Sequence, residues 1–349
     1  MNQLDIPLLK KICETPGTSG FENAIRNVVL ETVKPLCDEV SIDAMGNVIA
    51  FKKGKTSKKL MIPAHMDEIG FIVKHIDEQG FIKINPIGGF DPKTLTSQRV
   101  MIHGKKNVMG VFGSKPVHIM NAEERKKPLS ISNFYIETGY PGEEVKKMIE
   151  VGDSVTRHQP LIEMGDCVNC KSLDNRISVY ILIEMLKALE QPAYDTYAVF
   201  TTQEEVGVRG AFLAAHKINP DFCINLDTTI AFDSPGAKPE ESITELGKGA
   251  GIKLMDSSVI CDYRMINFIK TTAAKHKIKW QPEILDKGGT DTAAVQRIAV
   301  DGAICGGISI PTRNIHQSVE MVHKEDTINA TKLLLACVND IDAHNWDHH

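Results

Sequence analysis

Tyr197-Ala198-Val199-Phe200-Thr201-Thr202-Gln203-Glu204-Glu205-Val206-Gly207 carries an apolar run straight into two adjacent acids and a glycine. A short β-branched and aromatic run that closes on polar residues and a turn reads as a buried strand, and open α/β sheets place their sites at such strand ends. The same arrangement recurs along the chain. Leu60-Met61-Ile62-Pro63-Ala64 leads to His65 and Asp67, and Cys223-Ile224-Asn225-Leu226 leads to Asp227. Ala303-Ile304-Cys305-Gly306-Gly307-Ile308 leads through Pro311-Thr312-Arg313-Asn314-Ile315 to His316. From Leu173 onward helices and strands alternate: helix to 189, strand to 202, helix near 208–216, strand to 227, helix 257–276, strand 280–284, helix near 291–296, strand 299–305 and a final helix 326–342. That alternation predicts an α/β fold with a mainly parallel core sheet flanked by helices.

The first part of the chain opens the same unit. Leu8, Leu9 and Ile12, then Phe21, Ile25, Val28, Val29 and Val33, recur at helical spacing, and strands are expected at 38–43, 47–53 and 59–64. The character then changes. Gly70-Phe71-Ile72-Val73, Phe81-Ile82-Lys83-Ile84, Arg99-Val100-Met101-Ile102 and Gly110-Val111-Phe112-Gly113 are short strands punctuated by Asp91-Pro92 and Tyr140-Pro141-Gly142, with one helix near 143–150. The expected organisation is an α/β unit of residues 1–68 and 165–349, interrupted at 69–164 by a small β-barrel or sandwich.

Composition narrows the function by exclusion. At 349 residues the chain suits two such units, and its net charge of -5, with no basic run beyond Lys52-Lys53 and Arg125-Lys126-Lys127, argues against a nucleic-acid partner. No charged segment followed by an apolar one opens the chain, and no apolar stretch reaches the length of a membrane span, so a soluble, cytoplasmic protein without a membrane partner is expected. The eight cysteines agree with that compartment: Cys223 and Cys305 sit in strand patterns, Cys13 and Cys337 in helical ones, as packed thiols. Cys167 and Cys170 form a Cys-x-x-Cys, but no second pair follows at zinc-ribbon spacing. Asn345-Trp346-Asp347-His348-His349 reads as a tail beyond the last helix.

Imidazoles and carboxylates at the ends of four or five strands suggest a two-metal hydrolase. Such a centre needs ions about 3.5–4 Å apart, a bridging carboxylate, and a free carboxylate to handle a proton of the attacking water. An Asp two residues after His65 can accept its other ring N–H and fix the tautomer; a simple hydrogen-bonded pair is the alternative. Asp174, in Ser172-Leu173-Asp174-Asn175-Arg176, lies at or before a helix start and could equally be a cap. Of the adjacent Glu204 and Glu205, one can hold metal while the other acts as general base, against the alternative of a solvated helix start. Gly288-Gly289-Thr290-Asp291 permits close backbone approach before a helix, so Gly289, Thr290 and Asp291 are candidate substrate-pocket residues, or a plain turn with a cap.

Taken in order, Ala64-His65-Met66-Asp67-Glu68-Ile69-Gly70, Leu173-Asp174-Asn175-Arg176, Gln203-Glu204-Glu205-Val206-Gly207-Val208-Arg209-Gly210-Ala211, Leu226-Asp227, Gly288-Gly289-Thr290-Asp291 and Pro311-Thr312-Arg313-Asn314-Ile315-His316 resemble metallopeptidase family 42, the glutamyl and tetrahedral (TET-type) aminopeptidases. The resemblance implies a metal-dependent aminopeptidase acting on peptides, with two divalent ions per subunit, zinc or cobalt. By the same likeness His65 and Asp227 bind one ion, Glu205 and His316 the other, and Asp174 bridges them. Glu204 is then the general base, Asp67 the partner of His65, and Asp174-Asn175 a cis peptide. The interruption at 69–164 resembles a PDZ-like dimerisation domain, and family members join six dimers into a tetrahedral dodecamer. Two positions depart from the family pattern: Asn314 replaces an aromatic residue and Phe90 a tryptophan, neither of them a ligand or the base. His323 is expected to be structural. A carboxypeptidase or amino-acid deacylase would use the same metal chemistry, a glucanase would need neither His65 nor His316, and a non-catalytic peptide-binding scaffold need not keep the base.

Overall fold

Four strands form the centre of the molecule: Tyr194–Thr201, Thr56–His65, Phe222–Ile230 and Ile304–Arg313 lie side by side in that order and run parallel. They belong to a computed structural model that describes residues 3–348. Apart from the exposed start of Thr56–His65, the strands are almost continuously buried, as expected where helices cover both faces of a parallel sheet. On one face pack Ile6–Glu14, Asn23–Val33, Leu173–Ala188, Tyr263–Lys275 and Lys324–Asp340; Arg209–Ile218 and Asp291–Ile298 cover the other. Leu173–Ala188 is apolar nearly all round because it lies against the sheet beneath two further helices.

The expectation of a mainly parallel sheet holds for these four strands only; the eleven-stranded sheet as a whole is mixed. Glu39–Ile42 and Val48–Lys52 add one flank as an antiparallel hairpin, and Glu320–His323, Cys167–Cys170 and Ile162–Met164 add the other, also antiparallel. Three of these pairings, Glu39–Ile42 with Val48–Lys52, Ile162–Met164 with Cys167–Cys170, and Ile304–Arg313 with Glu320–His323, join strands only a few residues apart, which can close a hairpin but not a parallel crossover. A strand at Ala250–Met255 is absent from the sequence expectation. It pairs antiparallel with Ile304–Arg313 and parallel with Trp280–Ile284. Lys253 in its middle disguises it, and that lysine is buried against Glu283 at 2.5 Å and Asp256 at 3.6 Å.

The strand expected at 299–305 lies instead at Ile304–Arg313, the preceding residues being spent in the turn after Asp291–Ile298. Part of the terminal tail is docked: the Trp346 ring packs 4.7 Å from Phe222 and 5.2 Å from Phe268, while His349 lies outside the described residues. Among the described residues no helix is long and apolar enough to cross a membrane.

Gly70–Ile76, Ile82–Ile87, Tyr135–Glu137, Asn107–Gly113, Arg99–His103 and Ser154–Arg157 close into a six-stranded antiparallel barrel in that order. Alternate residues such as Phe71, Val73, Val100, Ile102, Phe112 and Val155 fill it. Gly110 is required where strands cross the filled interior, because a Cβ there would lie 2.4 Å from Ile136.

Candidate active site

His65 is the last residue of its strand and pairs in register with Thr201, so the imidazole emerges at the C-terminal edge of the parallel core. Beyond Thr201 the chain turns sharply, with φ of 54° at Gln203 and 117° at Gly207, and the turn carries Glu204 and Glu205 to the same edge. Asp227 lies on the next strand but one, beside Ser309. Asp174 is not a helix cap. Its φ of -77° and ψ of 107° place it outside the regular helix that follows, and the Asp174-Asn175 peptide is cis.

These segments converge. The Asp174 carboxylate divides its oxygens between the two histidines: Oδ1 lies 3.3 Å from His65 Nε2, and Oδ2 lies 3.3 Å from His316 Nε2. Asp227 Oδ1 stands 3.7 Å from His65 Nε2, and Glu205 Oε2 stands 3.1 Å from His316 Nε2. Glu204 Oε2 is 3.9 Å from His65 on the same side. Donor atoms of His65, Asp174 and Glu205 all lie within 4.8 Å of one another. His65, Asp174 and Asp227 are buried, Glu204 and Glu205 are partly buried with side chains 11% and 5% exposed, and the His316 side chain is 37% exposed.

Asp67 stands behind His65. The nearest acceptor to His65 Nδ1 is the Asp67 backbone carbonyl at 3.2 Å, with the carboxylate Oδ1 at 3.4 Å, and the carboxylate accepts the backbone N–H of Glu204 at 3.1 Å, that of Glu205 at 3.2 Å and the Ser19 hydroxyl at 2.6 Å. One residue therefore orients both, the histidine through its carbonyl and carboxylate together and the paired-acid turn through its carboxylate. Ser19 was not anticipated, and no local motif marks it. Nor was Glu320, whose buried Oε2 accepts the Asp174 amide at 2.8 Å. Thr290 and Asp291 are buried beside the cluster, Thr290 donating to Asp256 at 3.0 Å and Asp291 accepting from Thr201 at 2.5 Å. Gly289 adjoins the Ser258 side chain, where a Cβ would approach within 2.8 Å.

The electrostatics ask for cations. Burial pushes the Glu204, Glu205 and Asp227 carboxyls above their ordinary range, with neighbouring acids adding to the shift. Burial and the neighbouring Asp67 raise Asp291 to about 6, against the Thr201 hydrogen bond. Burial opposes protonation of the imidazoles, yet the acids win: His65 is raised by Asp174 and Asp67, and His316 reaches about 11 beside Glu205 and Asp174. Asp174 is held well below its usual range despite burial, because His316 and His65 donate to it. The surrounding acids thus favour positive charge at both imidazoles. Glu205 Oε1 is buried without any hydrogen-bond partner, a costly state for a carboxylate oxygen unless a cation meets it. The donor set of imidazole nitrogens and carboxylate oxygens suits a divalent transition metal.

A parallel α/β sheet whose strand ends gather two imidazoles and several carboxylates in this way defines a metal-dependent hydrolase. Residues 46–333 match the M42 glutamyl aminopeptidase family. The chain belongs to that family and is a metal-dependent aminopeptidase, a hydrolase of peptide bonds. It is 34% identical to the lysyl aminopeptidase of Pyrococcus furiosus over 97% of this chain and 98% of that one. The solved aminopeptidase of Desulfurococcus kamchatkensis superposes with a TM-score of 0.92 at 36% identity, covering 96% of this chain and 94% of its own. The Pyrococcus horikoshii TET1 peptidase, which can assemble into a tetrahedron or a large octahedral shell, is similar at a TM-score of 0.86 and 29% identity over 95% of this chain and 98% of that one.

Proposed function

We propose that this aminopeptidase holds two divalent ions, zinc or cobalt, with His65 and Asp227 on one, Glu205 and His316 on the other, and Asp174 shared between them. The observation that supports this reading is the Asp174 carboxylate, with one oxygen 3.3 Å from each imidazole. Bound ions at such a place lower the pKa of water towards neutrality and polarise a carbonyl.

The chain's own residues supply the rest. Glu204 lies beside the ligands without sharing Glu205's approach to His316, and burial keeps its carboxyl avid for a proton. It takes a proton from the attacking water and returns it to the leaving amine. Asp67 keeps His65 in the ligating orientation and tethers the turn that carries Glu204. The crowd of acids favours a cationic group, which fits the free α-amino end of a peptide, and Gly289, Thr290 and Asp291 back the edge where that end would enter. Glu204→Gln is the decisive variant. Turnover of aminoacyl-anilides should fall by about 10²–10⁴-fold, the usual worth of a general base, while metal analysis still finds two ions per chain. Undiminished turnover would remove Glu204 from the mechanism.

Residues 69–164 are proposed as a PDZ-like dimerisation unit, interrupting the catalytic unit of 1–68 and 165–349, in a dodecamer of six dimers. Exposed Val117 and Ile119 on the barrel's long loop, together with the assembly of the Pyrococcus horikoshii relative, support it. Light scattering should give the mass of twelve chains; a monomer would defeat the assignment.

A further inference from the structure

The two histidines of the site are carried differently. His65 ends a buried strand, whereas His316 lies in the loop between Ile304–Arg313 and Glu320–His323, with φ of 60° there and 61° at Asn314. Residues other than glycine hold that left-handed backbone only where surrounding contacts fix it.

Several of those contacts come from the barrel. Ser318 Oγ donates to the Thr94 carbonyl at 2.6 Å. Arg157, the last residue of the barrel strand Ser154–Arg157, is buried and donates through Nη1 to the Gln317 carbonyl. The same nitrogen stands 3.4 Å from Glu320 Oε1, and the other Glu320 oxygen accepts the Asp174 amide. Gly89, in the loop after Ile82–Ile87, faces His316 so closely that a Cβ there would lie 3.2 Å from Nδ1. Phe90 beside it stacks 4.3 Å from the Phe71 ring, and the Arg157 guanidinium lies 5.9 Å from the Phe90 ring. Loop and arginine therefore form one packed unit against the back of His316.

We propose that Arg157 is a positioning residue of the metal centre: the barrel, through Arg157 with Gly89 and Thr94, aims His316 and sets how tightly the His316–Glu205 half holds its ion. The inference rests on the two-ion assignment above. The other half is supported from within the α/β unit, His65 by Asp67, and Asp67 by Ser19 and the Glu204 amide. Arg157 also reaches the shared Asp174 through Glu320, but only at its backbone amide and not at the carboxylate that faces both histidines, so displacing the barrel contacts should be felt mainly at one ion.

The test uses the full chain, stripped of metal and titrated calorimetrically with Zn²⁺ alone. Arg157→Met removes the guanidinium. Gly89→Ala pushes on the His316 ring without removing any charge, and it decides the matter if Arg157→Met fails to fold. Circular dichroism and a cooperative unfolding transition establish that each metal-free variant is folded. Wild type should show two binding events, and each folded variant should weaken one of them about tenfold or more while the other stays within about threefold, as for loss of an outer partner of one ligand. Affinities unchanged in the folded variants, or both weakened alike, overturn the proposal. Wild type that takes up a single Zn²⁺ overturns the two-ion assignment itself, whatever the variants do.

Discussion

Replacing Asp67 with Asn keeps the side chain's shape and removes its charge, so the consequences can be worked bond by bond. The native carboxylate accepts three donors, the Glu204 amide, the Glu205 amide and the Ser19 hydroxyl, and lies 3.4 Å from His65 Nδ1. Asn retains one acceptor oxygen and must turn an NH₂ towards at least one backbone N–H. A hydrogen bond to a charged group contributes about 1.5–3 kcal/mol, and a buried donor left unpaired costs about 1–3 kcal/mol, so a loss of about 1.5–3 kcal/mol is expected. That cost falls on the segment that places Glu204 and Glu205 and on the histidine itself. Zn²⁺ affinity should drop about 10- to 100-fold, the usual price of an outer-shell partner. Denaturant unfolding of the metal-free protein reads the first quantity and Zn²⁺ titration the second. An Asp67→Asn protein that unfolds and loads Zn²⁺ like wild type would refute the claim that Asp67 organises the site.

Metal loading should release protons at neutral pH, because the acids hold His316 and His65 protonated without metal and ligation requires neutral imidazole. Calorimetry in buffers of different ionisation enthalpy measures this, and a buffer-independent heat would contradict it. Glu68 is buried against Lys171 at 2.5 Å, with Arg176 at 3.6 Å, and although burial pushes its carboxyl up, those cations hold it below the ordinary value. A depressed carboxyl stabilises the fold above its unfolded value of about 4.3, and that stabilisation is lost as pH falls through the lower folded value. Lys171→Met should therefore be destabilising by about 3–5 kcal/mol at pH 7, with the gap to wild type closing below about pH 4 in urea unfolding. A gap independent of pH would show that Lys171 acts by packing alone. Chelation should abolish peptidase activity while far-ultraviolet circular dichroism is retained, because the apolar cores on the two sheet faces involve no ligand.

The readable part of this molecule was the part built from local rules. Strand ends after Phe200, Ala64 and Leu226 were legible because a buried parallel strand is a short apolar run, and a polar residue at its end has few places to go but the sheet edge. The barrel was legible as an interruption because the spacing of its apolar residues changes from helical to alternating. Lys253 hid a strand, since a charge mid-run looks exposed until Glu283 appears thirty residues later in the chain. Glu320, Ser19 and Arg157 act only through contacts between distant segments, and no spacing within one segment encodes them. Asp174 was ambiguous for a related reason: a cap and a ligand have the same local sequence, and only the two histidines on either side of its carboxylate separate them.

The distribution of the proposed ligands over so many segments has a physical logic. Four carboxylates on one short stretch would repel one another in the unfolded chain and in the fold alike. Here separate elements deliver Asp174, Asp227 and the adjacent Glu204 and Glu205, and the cost of bringing them together is met only after the sheet has formed. The apolar faces of Leu173–Ala188 and the four central strands can assemble without the charged edge. The edge is then a collection of acids held apart from water by a scaffold already stable, which is what leaves Glu205 Oε1 without a partner and His316 strongly basic. A cation that enters gains the energy the acids could not release among themselves. It follows that the metal-free fold should persist while the loop bearing His316, the most exposed of the ligands, should be the first part of the edge to loosen. Hydrogen exchange of metal-free protein should show faster exchange at 314–319 than in the strand ending at His65, with the difference narrowing when Zn²⁺ is added; equal protection in both segments without metal would refute this order.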